Sequence, residues 1–220
     1  LPNSMPTEQH KVAVYRWLTG DTTYDSYVWR RANPAIRFRL TADLDEYLKT
    51  FKSAAEGTRY NLDMQTSEVM AMDRAGVPSA LAIFGAYTGA ITGMRDMATP
   101  TFSVTYETPT TDFAALVVHA SETRLRLWLY NFDAEPMPIG LKLWRLQPGV
   151  YVLEQGEQLP GERESQYRYA WESPRDIECI HKGAGPTIVV PPGKVWAVDL
   201  RLKEAVLIPT EAPDLAVMSR

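Results

Sequence analysis

From Thr123 to Leu153 the chain reads TRLRLWLYNFDAEPMPIGLKLWRLQPGVYVL, with apolar and polar residues alternating through three segments separated by turn chemistry. A pleated strand sends successive side chains to opposite faces, so a period of two predicts an antiparallel β-meander with one covered side. Leu125, Leu127 and Leu129 fall on one face, and Arg124, Arg126, Trp128 and Tyr130 on the other. The leucine face needs a core. The opposite face meets solvent, a ligand or the rest of the protein.

The same alternation predicts strands at Phe113 to Ala120, Thr123 to Phe132, Ile139 to Leu146, Val150 to Glu154, Ile177 to His181, Thr187 to Val190 and Val195 to Leu202. Asp133 to Pro136, Gln147-Pro148-Gly149 and Pro191-Pro192-Gly193 supply the fixed φ or permissive glycine that chain reversals need. Short strands so punctuated predict a β-sandwich. The stretch from Gln155 to Pro174 lacks strand periodicity and reads as a flap or mobile excursion.

Before this the texture differs. KVAVYRWLTG suits a strand or a short helix, while Tyr24 to Arg31 and Ala35 to Leu40 read as strands, Ile36, Phe38 and Leu40 alternating with Arg37 and Arg39. Thr41 is placed to cap a helix whose first turns hold Asp43, Asp45 and Glu46 and whose apolar face is Leu44, Tyr47, Leu48 and Phe51. Farther on, Gly85, Gly89 and Gly93 recur every fourth residue and predict a helix face closely approached by another backbone. The expected class is therefore α+β: a mixed helical N-terminal part followed by an antiparallel β-sandwich. Residues 1–99 form the first part with helices near 42–55 and 77–96, residues 100–208 the sandwich, and residues 209–220 a tail. The joint, residues 97–112, is an extended linker or first edge strand because its prolines disfavour helix and remove ladder donors.

Composition narrows the chemistry. A net charge of −4 without a run of Lys or Arg argues against nucleic acid. Cys179 stands alone, so no internal disulfide and no cysteine-based zinc site can form, and His10, His119 and His181 lack metal-ligand spacing. The compartment is left open. Apolar stretches such as Val77 to Ile91 are broken by Pro78, Gly85 and Gly89, so no membrane span is expected. The opening LPNSMPTEQH has neither the basic start nor the apolar core of a signal peptide; it reads as residues added ahead of Met5 or as the start of a processed tail of a longer polypeptide. Phosphate-binding, dinucleotide-binding and serine-elbow motifs are missing, and no cofactor is expected.

Two groups of residues carry candidate chemistry. The densest polar set is Tyr60, Asn61, Asp63, Glu68, Asp73 and Arg74, in which a Tyr base with Asn and Arg would suit proton abstraction beside a uronate carboxylate, and pairs among the acids would suit glycoside hydrolysis. The same set also reads as a solvated loop with its acids paired to Arg74. The second group is aromatic: sugar rings stack their C–H faces on Trp and Tyr, which nominates Trp128, Tyr130 and Trp144, and Tyr167, Tyr169 and Trp171 within the excursion. Against this, large aromatics commonly pack against another part of the chain when apolar surface is on offer. His119, in an apolar strand, reads as a core or edge residue.

RLRLWLYNFDAEPMPIGLKLWRLQPGVYVLEQG, closed by IVVPPGKVWAVDLRL, resembles the C-terminal antiparallel β-sandwich that follows the catalytic domain in many polysaccharide lyases and glycoside hydrolases. YRWLTGDTTY and LAIFGAYTGAITG are similar to helix-end phrases of α/α-toroid carbohydrate enzymes, although the first half is too short for a full toroid. No catalytic motif transfers residue by residue. The resemblance implies an accessory or C-terminal portion of a carbohydrate-active enzyme, with a larger catalytic polypeptide or a polysaccharide as partner. Two other expectations stand beside it: a binding or assembly module whose sandwich docks onto another chain or copies of itself as a homo-oligomer, and a small stand-alone lyase or hydrolase using the Tyr60 to Arg74 region.

Overall fold

A computed structural model describes residues 6–27, 34–61, 80–91, 101–161 and 163–206. Helix α1 spans Pro6–Thr19. Its first residue is a proline, whose fixed φ suits a helix start and whose missing N–H costs nothing there. Gly20 ends it at φ 72°, donating its N–H to the Arg16 carbonyl at 2.8 Å. KVAVYRWLTG is thus helical. The segment beginning at Tyr24 holds a 3-10 turn at Asp25–Tyr27 instead of a strand, and residues 28–31 lie outside the described residues.

Residues 35–40 are a second correction. They belong to helix α2, Pro34–Thr41, again opened by proline. The alternation misled because the arginines are not a solvent face. Arg37 pairs with Glu46, while Arg39 turns inward and donates to the carbonyls of Gly85 and Val117 at 3.0 and 2.7 Å. Ile36 packs with Ala13 and Ile91, and Phe38 stacks on Tyr47 with centroids 4.7 Å apart, so the helix buries more than one side. Helix α3 runs Leu44–Asn61. Its cap is Asp43, whose carboxylate accepts the Glu46 N–H at 2.9 Å, while Thr41 stands one step back and accepts the Asp43 N–H at 3.3 Å. Helix α4 is Ala80–Thr88, ended by Gly89 at φ 73°. The helix expected to reach 96 thus stops before Gly89, and the close neighbours of Gly89 are side chains and not a backbone: a Cβ there would lie 3.0 Å from Val117 Cγ1; Gly93 lies outside the described residues.

The strands are β1 Val104–Tyr106, β2 Phe113–Ala120, β3 Arg124–Asn131, β4 Met137–Leu143, β5 Gly149–Leu159, β6 Arg168–Trp171, β7 Arg175–Cys179, β8 Thr187–Val190 and β9 Val195–Ala205. They form two antiparallel sheets. One is three-stranded in the order β1-β4-β8; the other runs β2-β3-β9-β5-β6, with β7 also paired to β5. Between the sheets lie Leu125, Leu127 and Leu129, facing Leu141, Leu143, Ile188 and their neighbours. The fold is α+β with a sheet sandwich.

The excursion expected from Gln155 to Pro174 is sheet over residues 155–159 and 168–171. β5 continues to Leu159 and the chain returns as β6, Gly156 opposite Trp171 and Gln158 opposite Tyr169. Gly156 lets the strands approach closely, since a Cβ there would lie 2.1 Å from the Ala170 carbonyl oxygen. Polar residues on both faces of this hairpin hide the alternation.

The far face of the larger sheet is covered by helices: Phe38, Leu44, Tyr47 and Ala86 pack against Trp128 and Ala197. The free edge of β2 is closed by side chains in place of a further strand. Tyr87 Oη donates to the Phe113 carbonyl at 2.9 Å, Arg39 to Val117 and Arg145 Nη1 to Ala120 at 2.9 Å, satisfying groups that would otherwise template pairing. Among the described residues no helix is long and apolar enough to cross a membrane. The tail expected over 209–220 lies outside the described residues.

Candidate functional site

The outer face of the six-stranded sheet gathers five of the six nominated aromatics. β3 carries Trp128 and Tyr130; β6 carries Tyr169 and Trp171; Tyr167 precedes β6 and returns over the sheet, its ring meeting Trp128 edge-on at 5.1 Å. That return is pinned to the helices, because the Glu164 N–H donates to Asp45 Oδ1 at 2.9 Å. Trp128 is only 8% exposed and belongs to the packing between sheet and helices. Tyr130 is half-buried and packs on exposed Phe132.

Trp144 is elsewhere. It follows β4 in the three-stranded sheet, donates Nε1–H to Thr105 Oγ1 at 2.8 Å and lies against Phe102 and Gly183. It forms no shared platform with Trp128 and Tyr130. Of the polar set, Tyr60 falls in the last turn of α3, and Asp63, Glu68, Asp73 and Arg74 lie outside the described residues.

Two features of this face have ligand-sized geometry. An open groove of about 440 Å³ runs between α3, α4 and the sheet, lined by Leu48, Phe51, Ile83, Leu116, Trp128 and Tyr130 among others, all uncharged. Its ionisable groups are the hydroxyls of Tyr87 and Tyr130. The second is the pair Tyr169 and Trp171, stacked at 4.6 Å and 14° and half-buried, with the Arg126 guanidinium 5.2 and 5.8 Å from the two ring centroids. Gln155, bonded to Glu172 at 2.7 Å, stands on the opposite face of the β5–β6 hairpin.

Beneath Arg126 lies a charged knot that sequence reasoning missed. Asp199, wholly buried in β9, accepts from Arg124 Nε and Nη2 at 3.0 and 2.8 Å and from Arg126 Nε and Nη2 at 3.1 and 2.5 Å. Burial pushes its carboxyl up, but the hydrogen bonds and charges of the two arginines outweigh burial and hold it below the usual carboxylate range. The signal was a lone acid in VWAVDLRL opposite the Arg-Leu-Arg of β3. Nearby, burial first and then Asp45 and Asp43 push the Glu164 carboxyl up, against Arg126. Burial also raises the Cys179 thiol to about 11, which suits a packed side chain more than a nucleophile. Among the described residues no group of three His, Cys, Asp or Glu side chains is placed to hold a metal ion.

Comparison with protein-family models, with curated proteins and with solved structures finds no match to this chain.

Proposed function

We propose that the chain is an accessory or C-terminal portion of a carbohydrate-active enzyme, supporting a catalytic domain and contacting polysaccharide through the outer face of its larger sheet. The observation that carries this is the stacked, half-buried Tyr169–Trp171 pair beside Arg126. A flat aromatic surface suits the C–H face of a pyranose, and the Arg126 guanidinium offers a hydroxyl partner beside it. The resemblance of the β3–β5 and β8–β9 segments to the sandwich of polysaccharide lyases and glycoside hydrolases supports the same reading. The groove next to this face holds no carboxylate, imidazole, amine or thiol, its ionisable groups being the hydroxyls of Tyr87 and Tyr130, which favours an accessory role over a catalytic one for the described residues.

Affinity electrophoresis against a panel of soluble neutral and acidic polysaccharides tests the reading. Retardation of the intact chain by at least one polysaccharide, lost in Trp171→Ala with an unchanged melting temperature, is the expected result. Uniform mobility across the panel overturns it. A second reading, a docking or assembly module, is favoured by the apolar groove and by Phe132, 63% exposed at the end of the same face. Multi-angle light scattering separates the two: a concentration-dependent dimer with no polysaccharide retardation selects the second.

A further inference from the structure

β2 and β3 keep step from Phe113 opposite Asn131 to Val117 opposite Leu127, and then the register slips: His119, not Val118, stands opposite Arg126. In an uninterrupted ladder His119 would face Leu125 and the sandwich interior. The β-bulge turns it onto the outer face instead, where it is exposed. Bulges of this kind re-aim a side chain, and here the new surroundings are cationic.

Arg126 stands opposite His119 on β3 with Arg124 two residues before it, both guanidinium groups turned to Asp199 on β9, and Arg39 of α2 is bonded to the carbonyl of Val117 two residues before His119. Desolvation first, and then the repulsion of Arg124, Arg39 and Arg126, lower the His119 pKa, against the attraction of Asp199 from β9. Arg145, bonded to the Ala120 carbonyl, adds positive charge on the far side and is felt by Arg39. Counter-charge is sparse. Asp199 is wholly buried and already receives four N–H donors from Arg124 and Arg126. Glu154 pairs with Arg201 and also acts on Arg124, Glu164 interacts with Arg126, and Glu122 acts on Arg145. Arg39 has no carboxylate partner among the described residues, and its Nε is buried without an acceptor. Such a concentration of guanidinium runs against a chain whose net charge is −4. Arg124 and Arg126 share the single buried carboxylate of Asp199 and Arg39 has none, so positive charge is in excess beside His119, and a small oxyanion is the group that would balance it.

We propose that the exposed His119 imidazole, flanked by Arg39, Arg124 and Arg126, receives a small oxyanion: the carboxylate, sulfate or phosphate group of a ligand. The site needs no polysaccharide, so it stands or falls separately from the glycan reading, although Arg126 joins it to the Tyr169–Trp171 pair.

Histidine NMR reads this directly, because the chain has only His10, His119 and His181. The full chain is titrated with pH at constant ionic strength in sodium chloride, sodium sulfate, sodium phosphate and sodium glucuronate, with glucose as the neutral control. A bound oxyanion places negative charge beside the imidazole, so the His119 midpoint should rise by about half a pH unit or more relative to chloride, with His10 and His181 unmoved. Arg124→Gln leaves the Arg126–Asp199 contact in place and should reduce that rise at least severalfold. His119→Gln, on the surface, should abolish any gain in melting temperature that the anion confers. A rise with glucuronate alone identifies a sugar carboxylate as the ligand group; a rise with sulfate or phosphate alone identifies a free or ester oxyanion. Equal midpoints in chloride and in every oxyanion salt overturn the site. So does a parallel movement of all three histidines, which would mark general screening and an adventitious ion only, and so does an equal effect of glucose.

Discussion

Trp128 decides whether the outer face of β3 is a ligand platform or part of the core, and Trp128→Ala measures the answer. An exposed platform tryptophan can be truncated with little loss of stability. In the structure the indole is 8% exposed, stands opposite Leu116 on one side and Ala197 on the other, and meets the edge of Tyr167. A large aromatic buries roughly 150–250 Å². At about 25 cal/mol per Å² nearly complete burial gives about 3.5–6 kcal/mol as an upper value, and residual compactness of the unfolded chain lowers that by roughly 10–40%. The adjoining 440 Å³ groove is open, so water can fill the space left behind and no further void penalty of the closed-core kind is expected. The expected loss is therefore about 3–4 kcal/mol. Urea denaturation followed by far-ultraviolet circular dichroism should show a lower midpoint with an unchanged slope, because a stability change without altered surface exposure moves only the midpoint. A loss below about 1 kcal/mol would refute the packing assignment and return Trp128 to the ligand-binding set.

Leu127→Asp places a carboxylate without a partner between the two sheets, where Leu127 is fully buried, and should abolish the cooperative thermal transition. Asp199→Asn withdraws the acceptor charge from Arg124 and Arg126; a broken buried pair costs about 3–5 kcal/mol, and the partial exposure of both arginines brings the expected loss to about 2–3 kcal/mol in chemical denaturation. Because the folded-state pKa of Asp199 is depressed, its stabilisation is complete above the unfolded-state value of about 3.9 and disappears as pH falls through the folded value; the difference in melting temperature between wild type and Asp199→Asn should shrink across that acid range, and a difference independent of pH would count against the ion pair. Gly156→Ala drives a methyl group into the Ala170 carbonyl and should open the β5–β6 hairpin, seen as faster amide exchange over residues 168–171 with the helices unaffected.

Legibility in the sequence followed the number of environments an element meets. β2, β3, β8 and β9 show a period of two because one face of each meets the sandwich core, and their positions were readable to within a few residues. α2 was misread as a strand because it buries Ile36, Phe38 and the donors of Arg39 toward different neighbours, leaving no polar stripe to mark a helical period. The β5–β6 hairpin was misread because Gly156, Gln155 and Gln158 serve strand contact and hydrogen bonding, which composition alone cannot separate from a loop. The aromatic set was readable as a set but not as a place: only topology sends Trp144 to the smaller sheet and brings Tyr167, Tyr169 and Trp171 back to β3.

The cationic cluster was invisible for a more specific reason. Its residues lie on α2, β2, β3 and β9, and the step that assembles them is a one-residue slip between Val117 and His119. A strand read by strict alternation assigns His119 to the interior with Leu125, where an imidazole would need a buried partner. The slip instead joins it to Arg126, and Arg39 and Arg145 bond the strand's outward carbonyls on either side, so Arg39 serves both the edge protection of β2 and the charge that acts on His119. Replacing Arg39 by Met keeps an unbranched apolar stem but removes the guanidinium, and with it both functions together. It should therefore lower stability through the unpaired Val117 carbonyl and also raise the His119 midpoint in chloride, since one of the repelling charges is gone. A stability loss with no change in the His119 midpoint would separate the two functions and place Arg39 outside the electrostatic reach of the imidazole.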